Sequence, residues 1–130
     1  MKHLIFILCL LLGGSALFSQ TTSCKSFHTG TFRIVEDGKT SDLIKRTKKF
    51  QYEISGKQKV KLAIEWLDAC TYKLTFTKAN KAFHKKNITG LMGKVLIVKI
   101  LETKGNSCLI TARFEHEQEF AYTGTIMKIK

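Results

Sequence analysis

Residues 59–78, KVKLAIEWLDACTYKLTFTK, alternate apolar and polar side chains more regularly than any other part of the chain. Val60, Leu62, Ile64 and Trp66 alternate with Lys59, Lys61, Ala63 and Glu65; Tyr72, Leu74 and Phe76 then alternate with Thr71, Lys73, Thr75 and Thr77. Successive side chains of a strand point to opposite faces, so this pattern specifies a β-hairpin with one apolar face, turning at Asp68 and Ala69. Cys70 shares the apolar side of the second arm. The rest of the chain reads as strands built around this hairpin.

Upstream, Phe32 and Ile34 share a face, and Asp37-Gly38 follows as a tight-turn signal whose central positions both favour positive φ. The chain should double back through residues 40–47, where adjacent Leu43 and Ile44 blur the pattern. Phe50, Tyr52 and Ile54 then alternate with Lys49, Gln51 and Glu53, which predicts the three apolar residues inward. Downstream, residues 79–93 break the rhythm and read as a crossover packing its own apolar side chains. Val95 to Leu101 is apolar on both faces and needs a cover on its second one. Cys108, Ile110, Ala112 and Phe114 line the next strand, and Phe120, Tyr122 and Ile126 the last. About eight strands joined mostly by hairpin-length links specify an all-β fold, an antiparallel meander closing wholly or partly into a barrel.

Residues 1–19 stand apart from that domain. A basic start at Lys2 and His3, an apolar run from Leu4 to Leu12 too short to span a bilayer, and small residues up to Ser19 read as an export signal cut after Ser19. Lipidation is disfavoured, because Cys24 lacks the leucine expected three residues upstream. The mature chain is then one domain, 20–130, exported to the periplasm or beyond. Loss of the leader takes Lys2 with it and leaves 21 basic against 10 acidic residues, a net charge of +11. Such a surface favours anionic polymers or membrane head groups.

Three cysteines remain, and an oxidising compartment permits one bridge. Cys108 shares the inward parity of Ile110, whereas Cys24 lies in a lead that needs tethering and Cys70 beside a hairpin turn, so Cys24–Cys70 is the expected pair. No cysteine spacing is that of a zinc site, the histidines are scattered, and no metal or cofactor is expected.

The inward face carries nine rings, Phe32, Phe50, Tyr52, Trp66, Tyr72, Phe76, Phe114, Phe120 and Tyr122, which either fill the barrel or leave a small cup lined by Tyr52, Trp66, Tyr72 and Tyr122. On the outward parity, Lys49, Lys59, Lys61, Lys73 and Arg113 form a basic patch, with only Glu53 and Glu65 among them. The expected function is therefore binding: an anionic envelope polymer or lipid head group on the patch, or a small apolar ligand in the cup. Catalysis has no candidate group, because Glu36, Glu53, Glu65, Glu102 and Glu115 mostly fall on presumed solvent faces, where nothing shifts a carboxylate. Nucleic acid is disfavoured because the rings share the aliphatic face and do not stand between the lysines as stacking platforms.

Cys24-x-x-Phe27-x-Thr29-Gly30-x-Phe32, with Trp66-x-x-x-Cys70-x-Tyr72-x-Leu74, Thr103-Lys104-Gly105-Asn106 and Gly124-Thr125, resembles a family of small, largely uncharacterised exported proteins of the Bacteroidota. Some members carry a DNA topoisomerase IV label. The residues oppose that label: a type II topoisomerase needs an ATP-binding domain, a cleaving tyrosine beside an arginine and acidic metal ligands, and no such cluster is present. Thr29-Gly30-Thr31-Phe32 is also similar to the Gly-x-Trp opening of lipocalin-like barrels, with Phe32 in the tryptophan position; the resemblance implies a barrel and leaves the ligand open.

Overall fold

A computed structural model describes residues 23–79, 94–117 and 122–130. The expected leader, the body of the crossover after Ala79 and Phe120 lie outside the described residues. A short 3₁₀ helix at Cys24–Phe27 leads into eight strands: β1 (Gly30–Glu36), β2 (Lys39–Arg46), β3 (Phe50–Ser55), β4 (Gln58–Asp68), β5 (Thr71–Ala79), β6 (Val95–Lys104), β7 (Ser107–Phe114) and β8 (Tyr122–Lys128). Each strand pairs antiparallel with the next, and β8 pairs with β1, so the meander closes into a barrel without an edge.

The turns follow their residues. Asp37 at φ 50° and Gly38 at φ 72° both adopt the left-handed conformation that the β1–β2 hairpin requires. In the central hairpin Trp66 faces Tyr72 and Ile64 faces Leu74, and the Asp68 carboxylate accepts a hydrogen bond from the Cys70 amide at 2.8 Å across the turn. Bulges interrupt the β1–β2, β4–β5 and β6–β7 ladders. The blurred pattern around Leu43 and Ile44 coincides with the first, and it leaves Ile44 facing inward opposite Phe32.

Phe32, Ile44, Val60, Leu62, Ile64, Tyr72, Leu74, Val98, Ile100, Ile110, Ala112 and Ile126 are all buried inside the barrel. One end is shut by the 3₁₀ helix, whose Phe27 is only 1 % exposed and stacks on Phe32 at 6.0 Å between ring centroids. This plug is tied down: Cys24 is bonded to Cys70 at the β4–β5 turn, and the Lys128 ammonium on β8 donates to the Ser26 carbonyl. On β6 the outward Val95 and Ile97 are half-buried, and Leu101 is 52 % exposed.

One strand departs from the expected parity. Gln51 faces Leu62 and Glu53 faces Val60, while Phe50 faces Ala63 and Tyr52 faces Lys61. Paired residues share a face of the sheet, so Gln51 and Glu53 point into the barrel and Phe50 and Tyr52 out of it. Tyr52 is therefore no part of an interior cup, and Glu53 no part of the outer face.

The bridge closes a loop of 46 residues, worth about 3–4 kcal/mol in the chain-entropy picture. A Cys24→Ser/Cys70→Ser variant is expected to lose about that much stability in urea unfolding while keeping its β-sheet circular dichroism, because the barrel ladder closes without the bridge.

Candidate functional site

β2 places Arg46 inside the barrel, 4 % exposed, under the 3₁₀ plug. A buried guanidinium is costly unless its donors are matched, and four of them are. Nε and Nη2 donate to Gln51 Oε1 at 2.9 and 2.7 Å, Nη2 also to Tyr72 Oη at 3.0 Å, and Nη1 to the Phe27 carbonyl at 2.6 Å. The cation lies over three rings, with centroid distances of 4.7 Å to Tyr72, 5.0 Å to Phe32 and 5.7 Å to Trp66. Such contacts supply about 2 kcal/mol each when desolvated. Trp66 is stacked in turn against His28 at 3.5 Å, and His28 Nε2 donates to the Ala69 carbonyl at 2.8 Å. The plugged half is thus filled, and Trp66 belongs to the packing there and not to a cup. Its Nε1 is buried and has no hydrogen-bond partner among the described residues.

The half away from the plug is hollow. A cavity of about 180 Å³ is walled by Ile34, Ile44, Leu74, Leu96, Val98, Ile110, Ala112 and Ile126, with Gln51, Glu53, Tyr72 and Tyr122 as its polar members. Of the expected cup residues, Tyr72 and Tyr122 line it. Two other hollows are somewhat larger, about 210 Å³ beside Phe114 and Glu115 and about 280 Å³ beside Cys108 and Leu109. Both are more open to solvent than the interior cavity, which carries Glu53, Tyr72 and Tyr122.

Those groups form a chain. Gln51, holding Arg46 through its oxygen, donates through Nε2 to Glu53 Oε1 at 2.9 Å. Burial pushes the Glu53 carboxyl above the ordinary range; the Gln51 hydrogen bond opposes this, and the charge of Asp42 adds to it. Tyr122 Oη donates to Glu36 Oε1 at 3.2 Å, and burial followed by the Glu36 charge raises the phenol. Its ring lies where a side chain on Gly124 would stand, since a Cβ there would come within 2.2 Å of the hydroxyl. Tyr72 is raised by burial, and the Cys108 thiol is pushed up to about 12, also by burial. Neither is a nucleophile at neutral pH. Among the described residues no group of histidine, cysteine, aspartate or glutamate is arranged to hold a metal.

Outside, the expected basic patch separates into parts. Lys59 and Lys61 on β4 sit over the exteriorised rings, Lys59 Nζ 4.6 Å from the Tyr52 centroid and Lys61 Nζ 3.9 Å from that of Phe50. Lys73 on β5 is paired with Glu115 at 3.2 Å and faces Glu65 across the ladder. Arg113 on β7 is separated from Lys73 by Ile97 of β6, and Lys49 lies in the β2–β3 turn. Reasoning from hydropathy missed Arg46, Gln51 and Glu53. The parity that Arg46 shares with Ile44 was the available signal.

No family model, no curated protein and no solved structure matches this chain.

Because the fold favours the protonated Glu53, its contribution to stability is full below the ordinary carboxylate pKa and is lost as pH rises through the raised folded value. Glu53→Gln keeps an acceptor for Gln51 and removes the titration. Urea unfolding from about pH 4 to pH 8 is expected to show a downward slope for the parent that the variant lacks, with the variant the more stable at neutral pH.

Proposed function

We propose that the chain is an exported, non-enzymatic binding protein whose barrel takes up one small, mostly apolar molecule. The observation that carries this reading is the interior cavity of about 180 Å³ with a mostly aliphatic wall and the Glu53 carboxyl group in its lining. An apolar cavity of about 150 Å³ accepts a benzene ring, so the space suits a monocyclic ring or a short aliphatic chain. Glu53, with Asp42 and Glu36 nearby, sets the polarity of the ligand's head. A hydroxyl or amine that donates to Glu53 fits there, and a carboxylate is disfavoured by the charges of Asp42 and Glu36. The Cys24–Cys70 bridge fits an oxidising compartment and so supports export.

Phenol, benzylamine and benzoate, titrated by calorimetry and by chemical-shift changes at cavity residues, test the proposal. Phenol and benzylamine are expected to bind with dissociation constants on the order of micromolar to millimolar, as their few atoms allow, and benzoate at least about tenfold more weakly. Ala112→Phe should fill the cavity and abolish binding with the fold intact. Equal binding by parent and variant would remove the cavity as the site.

A further inference from the structure

The inversion of β3 also builds an outer face. Across β2, β3 and β4 the outward register runs Lys45, Tyr52, Lys61 in one row, with Phe50 and Lys59 flanking it. Strands stand about 4.8 Å apart, so Lys45 and Lys61 lie roughly 10 Å from each other on either side of the tyrosine. Glu53, which hydropathy assigned to this face, is turned inside, and the nearest outward carboxylate on these strands is Glu65, which faces Lys73. The lysines do not sway freely in water: Lys59 is held over Tyr52, and Lys61 over Phe50 at 3.9 Å with Tyr52 at 5.9 Å. Each ring is a support that fixes an ammonium group and reduces the side-chain entropy lost when an anion binds.

We infer that this face of β2–β4 is a binding surface for an anionic polysaccharide, engaged by Lys45, Lys59 and Lys61 on the Phe50 and Tyr52 supports. The arrangement selects among polyanions. A single-stranded nucleic acid needs open ring faces on which bases stack, and here ammonium groups occupy them. A lipid surface needs apolar side chains standing clear of the charges, and here the rings lie beneath the lysines. A stiff glycan bearing carboxylates or sulfates at regular intervals needs only fixed cations at matching intervals, unopposed by carboxylates. It also occurs where a disulfide-bonded protein resides.

The test measures binding of the purified protein to sulfated dextran as a function of salt, against neutral dextran of the same length. Lys59→Gln/Lys61→Gln is compared with Lys25→Gln/Lys130→Gln, which removes the same charge from exposed lysines elsewhere. The first pair is expected to weaken binding about tenfold or more and to lower the slope of log affinity against log salt by roughly two, one per contact. The second should change affinity less than about threefold, the scale of a general charge effect. Phe50→Leu/Tyr52→Leu, which alters no charge, should weaken binding several-fold because the ammonium groups lose their supports. Equal losses from the two lysine pairs would reduce the interaction to net charge and overturn the proposal. Tighter binding to oligothymidylate or to phosphatidylglycerol vesicles than to sulfated dextran, lost with the first pair, would overturn the assignment to a glycan.

Discussion

A guanidinium buried without a carboxylate in contact is the constraint from which the rest of this barrel follows. Removing a cation from water costs several kcal/mol, and the site recovers this with oriented dipoles and ring faces. Gln51 is the main acceptor, and it can reach Arg46 only if β3 presents its odd positions inward. Side chains alternate strictly along a strand, so that one requirement flips all of its neighbours. Glu53 goes in with Gln51, and Phe50 and Tyr52 go out.

The barrel is consequently two different interiors end to end. Under the plug, Phe27, Phe32, Trp66, Tyr72 and Arg46 pack in contact, and the last carbonyls of the 3₁₀ helix are taken by Arg46 and Lys128. Those carbonyls stand at the end of the helix, where no further helical amide reaches them. Beyond Gln51 the described walls are mostly aliphatic, and space remains. Gln51 joins the halves, anchoring a cation on one side and presenting a carboxyl group to the cavity on the other. The outer face of β2–β4 is the remainder of the same operation: rings excluded from the interior are covered by lysine stems, as amphipathic side chains do over apolar surface.

The meander and the 59–78 hairpin were legible in the sequence because most strands alternate and three of the turns, at Asp37-Gly38, Gly56 and Gly105, carry residues suited to left-handed backbone. The cysteine pair was legible from parity and position: Cys108 falls with Ile110 on a strand, whereas Cys24 lies in the lead before the first strand and Cys70 beside a hairpin turn. β3 was not. Phe50, Tyr52 and Ile54 alternate as well as any strand in the chain, and hydropathy places them inside; the deciding energy lies in Arg46 on the preceding strand, a non-local term that a pattern within six residues does not contain. Glu53 was placed on the solvent side for the same reason, and with it went the one group that gives the cavity a chemical preference. Trp66 and Tyr72 carried correct parity, but alternation is silent on position along the barrel axis, which separates a packed end from a hollow one.

Cys108 bears on how the chain reaches this state. The described residues hold three cysteines, Cys24, Cys70 and Cys108, which in the unfolded chain permit three pairings, and exchange among them continues for as long as a thiolate can attack. Cys108 lies on β7 opposite Ile126, 1 % exposed. Closure of β7 against β8 therefore withdraws the third thiol from exchange and leaves Cys24 and Cys70 together at the rim. In the closed barrel the thiol that could compete for Cys24 or Cys70 is thus sealed inside the wall, and the bridge at the rim has no free thiol beside it among the described residues.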